Sequence, residues 1–429
     1  MGGATGEVEG NGLRAGDCGV FPTTVDPAPS PGRAALFGAL AVSFALVEWQ
    51  ATVRGGPRPS MMPLFHPFTA FAVASVFCHY MLSARISASR KIVINLAPAA
   101  FAIFFLSVCG LGDPIIMADA ALVALGLLGM FGYARDAWLA GASEARRAPL
   151  RRLRDALTIP LACALSPFFL WTTLTLNPVY DPTVRAFDQK LGWHVVSLAI
   201  ASYRALRPLS VFATTCYVTL PVAMSVLVLK QRASDMTTRV LVATILAGVA
   251  GFVLYSVCPV VGPQHVLGTP SPEQIPDVGP GDLLPMFTAA GAARNGMPSL
   301  HTAWALLIGL NVRALGWKLR SALLVFAAMN VWAAMGLREH WFLDIVVAVP
   351  FAAAVQIAIV RASTPSSWLR WVECAACVAL TACWLAAVRQ GSALSALSVA
   401  ASRVAVLFTI IVPLVFVLPV RRVQSRARA

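Results

Sequence analysis

Charge is scarce in this chain, and negative charge is the scarcer kind. Only 12% of the 429 residues are charged, 19 of them acidic against 33 basic. With 58% hydrophobic residues and a mean hydropathy of +0.74, no soluble domain could hide so much apolar surface. The composition implies a polytopic membrane protein. A net charge of +14 raises the question of nucleic acid. Most of the basic residues, however, sit in short loops between apolar runs, as membrane topology requires, so no nucleic-acid partner is expected. The cysteines number nine, an odd count that excludes a full disulfide framework. Cys78, Cys109, Cys163, Cys216 and Cys383 lie inside apolar runs, and the Cys374/Cys377 pair has no second ligand pair. Buried small hydrophobes explain them better than metal or redox chemistry. Residues 1–33 lack an apolar core, which argues against a removable signal peptide, and their Gly/Pro content predicts disorder. No internal period is visible, so a repeat array is excluded.

What is abundant is the long apolar run. About twelve reach the roughly 20 residues a bilayer needs. They cover 34–52, 67–84, 92–110, 114–134, 156–176, 209–229, 239–258, 298–316, 321–337, 341–361, 371–388 and 402–420. The fold class is therefore all-α, a polytopic transmembrane helical bundle. Basic residues set its orientation. Arg135, Arg146, Arg147, Arg151, Arg152 and Arg154 mark 135–155 as a cytoplasmic loop. Alternation then places Lys230, Arg232 and Arg239, the Arg313–Arg320 cluster and the tail Arg421–Arg428 inside as well. The expected layout is a disordered cytoplasmic 1–33, four helices in 34–134, the basic loop 135–155, a core at 156–361, two helices in 362–420 and a basic tail at 421–429. Both termini are cytoplasmic in this reading, in the plasma (inner) membrane. Residues 177–207 read as an outer loop followed by an interfacial helix, and 259–297 as a second outer loop.

Two polar stretches open apolar runs on that outer face. Arg294-Asn295-Gly296-Met297-Pro298-Ser299-Leu300-His301 precedes the first. Proline suits a first helical turn, and the free amides of Ser299, Leu300 and His301 would meet the positive end of the helix dipole, an anion site. His301 adds proton transfer near neutral pH. The second stretch, Leu337 to Asp344, places His340 and Asp344 four residues apart, hence on one helical face. A carboxylate on one ring nitrogen fixes the tautomer and frees the other as nucleophile or base. Two histidines, one carboxylate and two helix starts point to phosphoryl transfer. The bland readings are that a histidine at a helix end is interfacial, and that Asp344 merely flanks a span. Order, spacing and a shared face favour chemistry.

These motifs resemble the type 2 phosphatidic acid phosphatase (PAP2) superfamily. Pro298-Ser299-Leu300-His301 matches its Pro-Ser-x-His motif, and His340 to Asp344 matches its closing His-x-x-x-Asp. Leucine between Ser and His, with Tyr255-Ser256-Val257-Cys258-Pro259-Val260-Val261-Gly262-Pro263 upstream, is similar to the inositol phosphorylceramide synthase branch. The resemblance implies a six-helix core within 156–361 and no metal or cofactor. His340 would be the nucleophile that forms a phosphohistidine, Asp344 its orienting partner, and His301 the proton donor to the leaving oxygen. The substrate would be a lipid phosphate or phospholipid handled at the extracytoplasmic face among membrane lipids, with phosphoinositol or a similar head group as the transferred unit in that branch. Three family cations are missing: Gln264 then His265 stand after Gly-Pro, Ile200 stands where the first motif has Lys before Arg207-Pro208, and Ala334 replaces the third-motif Arg. Ser299, Arg294, Arg338 and His265 are the expected phosphate-binding substitutes. The competing classes are a polytopic lipid transporter, disfavoured because the polar residues gather at one face, and an inactive lipid-binding relative.

Overall fold

The computed structural model describes residues 67–83, 114–141, 146–174, 176, 179–231, 234–266, 293–361 and 368–417. Among them the chain is all-helical. The first helices are α1 (Pro67–Ser83), α2 (Pro114–Leu139) and α3 (Arg147–Thr173). Then come α4 (Asp181–Leu191), α5 (Val195–Ala205), α6 (Arg207–Val218), α7 (Leu220–Lys230), α8 (Ser234–Val257) and the single turn α9 (Pro263–Val266). The second half holds α10 (Leu300–Asn311), α11 (Trp317–Gly336), α12 (Phe342–Arg361), α13 (Trp368–Gln390), α14 (Ser392–Ala396) and α15 (Val399–Val417).

Among the described residues six helices are long and apolar enough to cross a membrane, within α2, α8, α11, α12, α13 and α15, or up to seven if a bent pair counts as one span. This marks an integral membrane protein, with fewer demonstrable spans than the expected twelve. Two expected spans, 34–52 and 92–110, lie outside the described residues, as do the termini. Others are shortened or broken. Run 67–84 yields a 17-residue α1, and 298–316 yields a 12-residue α10 ended by the 3-10 turn Val312–Ala314. Run 209–229 breaks at Thr219 into α6 and α7, and α5 meets α6 at 113°. Apolar content set the length of each run, while proline starts at Pro208 and Pro221 set where helices begin anew. The basic stretch 135–155 is also mostly helical where it is described: Arg135 lies within α2, which runs on to Leu139, and Arg147 to Arg154 form the first turns of α3. Residues 177–207, expected as loop before an interfacial helix, contain α4 and α5.

The outward faces are apolar. Phe131 on α2 and Val404, Phe408 and Ile411 on α15 are exposed, as a lipid-facing surface requires. Trp138, Trp317, Trp368 and Trp371 are exposed at helix ends close to Arg135, Lys318 and Arg370, where an aromatic belt sits.

At the centre runs α12. Its span is 83% buried, against 22–28% for α2, α11, α13 and α15, and it packs on α4, α8, α10, α13 and α15. Helices α10 and α12 are tied at both ends. Ser299 N donates to Asp344 O (3.2 Å), and the Asn311 and Gln356 amides exchange hydrogen bonds of 2.9 and 3.2 Å. Both ties join residues 45 apart, so the two helices run parallel and begin at the same end of the bundle.

The α1–α2 hairpin relies on absent side chains. A Cβ at Gly129 would lie 2.6 Å from the Phe77 backbone, and Gly126 and Gly132 press equally on Val73 and Tyr80. Gly129→Val should therefore cost about 1–3 kcal/mol by overpacking. Gly309→Ala, whose Cβ meets only Leu324 at 3.7 Å, should be neutral or stabilising. Thermal unfolding in detergent checks the contrast, and equal losses would contradict the packing.

Candidate active site

The parallel starts of α10 and α12 bring His301 and His340 together, with ring centroids 6.5 Å apart and planes at 53°. Each start is capped from within. Ser299 is the N-cap of α10, fully buried, and its hydroxyl accepts from Thr302 N at 3.3 Å. Ser299 N donates to Asp344 O. The Ser299 amide, expected as part of an anion nest, is thus spent inside the fold, because buried donors take the nearest acceptor. Ser299 therefore acts as a cap.

His340 is 2% exposed, and its Nδ1 lies 3.5 Å from Asp344 Oδ2, an ion-pair distance too long for a good hydrogen bond. The same Oδ2 accepts from Trp341 N at 2.9 Å. Asp344 sits in the third position of α12 and reaches back to the residue before the helix, as the acidic half of a capping box does. It serves the backbone and the imidazole with one atom. The His340 amide donates to Ala334 O (3.1 Å), as does that of Glu339 (3.1 Å). Ala334 itself is fully buried, so the position where the family carries arginine has no room for one.

The expected cations fall in different places. Arg294 is 2% exposed, not at the mouth, and its Nε donates to Leu176 O (3.2 Å) while its amide donates to Thr173 Oγ1 (3.0 Å). Burial lowers its pKa and nearby Asp181 opposes that shift. Its visible work is to seat the end of α3. Arg338 is half-buried in the left-handed region at φ 67°, its carbonyl accepting from Gln264 N at 2.8 Å. Burial, then the like charge of Arg204, lowers its pKa. The Gln264 side chain, with its nitrogen turned inward, donates to Leu337 O and Glu339 Oε1 at 3.2 and 3.1 Å. Gln264 thus braces the loop. His265 belongs to α9, and its side chain lies outside the described residues.

Sequence reasoning missed three groups. The Tyr217 ring stacks on His301 at 3.9 Å and 10°. Asp181, at the start of α4, accepts from Val261 N, Gly262 N and Trp341 Nε1 at 2.9, 2.8 and 2.8 Å. Burial pushes its pKa up to about 6, against the pull of these three donors. Asp188 accepts from Phe342 N (2.8 Å) and Leu343 N (3.2 Å), the first amides of α12. Burial, and next the charge of Asp344, raises its pKa well above the carboxylate range. The available signal was two carboxylates seven apart in an amphipathic eleven-residue stretch, hidden by reading that stretch as loop. Among the described residues no group of three or more His, Cys, Asp or Glu side chains gathers as a metal-ligand set would.

The two helix starts thus bring two histidines and a carboxylate together. The comparisons agree at family level: a family model for the PAP2 superfamily matches residues 182–358, less than half of the chain. The match starts inside α4, later than the expected core boundary at 156. No curated protein and no solved structure matches. The match supports the superfamily and not the inositol phosphorylceramide synthase-like branch.

Gly262 locks the two loops together. At φ 89°, its missing Cβ would lie 2.1 Å from Glu339 O, one residue before His340. Gly262→Ala should cost about 1–3 kcal/mol and displace the His340 loop. Gly192→Ala, equally left-handed but facing only the Arg403 side chain at 3.2 Å, should carry backbone strain alone. Unfolding midpoints of the two variants test this, and a Gly262→Ala protein as stable as wild type would refute the contact.

Proposed function

We propose that the protein is an integral-membrane phosphatase or phosphotransferase that cleaves a lipid-linked phosphate ester through a phosphohistidine on His340. The observation that carries this reading is the convergence of His301, His340 and Asp344 at two buried, parallel helix starts, within the stretch that the PAP2 superfamily model matches. Asp344 beside Nδ1 leaves the other ring nitrogen of His340 to attack phosphorus. As the P–O bond to the lipid alcohol breaks, His301 gives its proton to the departing oxygen. In the second step His301 takes a proton from water or an acceptor hydroxyl. That oxygen then bonds to phosphorus and releases His340. Asp344 stabilises the imidazolium between the steps. Phosphatidic acid is the simplest substrate of this class, and transfer of a phosphoinositol-type head group is the elaboration suggested by Leu300 and the Tyr255–Pro263 stretch. Arg338 is the cation best placed for the phosphate. The basic-residue pattern puts the site at the extracytoplasmic face with both termini inside.

Purified protein should release phosphate, or a head-group product, from phosphatidic acid, a prenyl pyrophosphate, or phosphatidylinositol supplied with ceramide. His340→Ala should abolish turnover, and Asp344→Asn should lose about 10²–10⁴-fold in rate. Activity retained in His340→Ala would end the phosphohistidine mechanism. A folded protein inert towards every lipid phosphate would favour the lipid-binding relative instead.

A further inference from the structure

We propose that α4 is a positioning element for the His340 loop, acting through Asp181 and Asp188. The inference rests on the reading of His340 as the reacting nucleophile. A helix start is ordinarily capped by its own N-cap side chain, usually Ser, Thr, Asp or Asn. The residue before α12 is Trp341, which offers no acceptor. Its place is taken at long range, since Asp188 lies 154 residues from Phe342 and accepts from both Phe342 N and Leu343 N. Asp181 meanwhile holds the Trp341 indole and ties it to the Val261–Gly262 amides. Adding Asp344, which takes Trp341 N, every backbone amide from Trp341 to Leu343 ends on an aspartate oxygen. His340 sits one residue before this set. Its ring direction is therefore fixed from α4 as well as by Asp344.

Burying carboxylates to hold backbone is costly compared with an apolar contact, unless the donors must stay in one place. Asp181, Arg185 and Asp188 occupy one face of α4 at helical spacing, so a shift of this helix moves every contact together. The helix is seated from the other side by the C-terminal helices. Lys190 Nζ donates to Leu394 O (3.0 Å) and Ser395 O (2.8 Å), and Arg403 Nε donates to Leu191 O (2.9 Å). Phe187 packs edge-on against Trp384 at 5.3 Å. All of these partners lie beyond residue 358, where the family match ends. Helices α13–α15 thereby belong to the positioning apparatus.

The test uses the full-length protein in detergent, with Asp188→Asn, Asp188→Ala, Asp188→Glu and Arg403→Ala. Two readouts are taken: kcat and KM on the lipid phosphate that wild type turns over, and acylation of His340 by diethyl pyrocarbonate followed by mass spectrometry. His79, buried between α1 and α2, reports global opening, and exposed His194 reports reagent access. Asp188→Asn should lower kcat about 10- to 100-fold, the scale of misplacing a reacting group by about 1 Å, with KM little changed. His340 should become acylated while His79 stays protected. Glutamate, which keeps two acceptor oxygens, should recover part of kcat, and Arg403→Ala should show a smaller effect of the same kind. Unchanged kcat and unchanged His340 protection in Asp188→Asn and Asp188→Ala would overturn the proposal. So would His340 and His79 opening together, since that is general instability. Should wild type turn over no lipid phosphate, the functional reading fails, and the acylation pattern still decides the role of α4.

Discussion

A helix that starts inside an apolar bundle exposes backbone amides to a medium with no water to satisfy them. That constraint governs this site. At α10 amides are met by the Ser299 hydroxyl and by the Asp344 carbonyl. At α12 they are met by Asp188 and Asp344. Asp188 comes from α4 and Asp344 serves both starts, so satisfying them draws α4, α10 and α12 onto one another. The histidines stand together because the helix starts do.

The same constraint explains what was legible in the sequence. Spacing alone placed His340 and Asp344 on one face, and the even alternation of spans between Pro298 and His340 put both starts at one end; the parallel α10–α12 pair has that arrangement. Hydropathy identified a membrane protein, and six of its expected spans are long and apolar enough to cross a membrane among the described residues. An apolar run says nothing of a break at Thr219 or of the 113° turn between α5 and α6. The turn and the break fall at Pro208 and Pro221, local signals that a hydropathy average passes over. Arg294 lies deeper than expected for a related reason. Arg294 lies four residues before Pro298, yet nearness in sequence does not reveal that Leu176 O draws its side chain inward.

Asp181 and Asp188 were invisible for the opposite reason. An eleven-residue amphipathic stretch with two prolines nearby looks like surface loop, and its carboxylates look solvated. Only the fold shows Asp181 fully buried and both residues facing backbone donors roughly 80 to 160 residues away in sequence. Long-range caps leave no local pattern, because the donors are ordinary amides that any residue supplies.

Asp344 Oδ2 faces both the Trp341 amide and the His340 ring. On the proposed mechanism structure and chemistry therefore share one oxygen, and selection cannot relax one demand while keeping the other. His340 carries no such double duty, since its amide bond to Ala334 O needs no particular side chain. A descendant of this chain that abandoned turnover but kept its fold would lose the histidine first and keep the aspartate. In this architecture the surviving carboxylate marks ancestry, and only the pair marks activity.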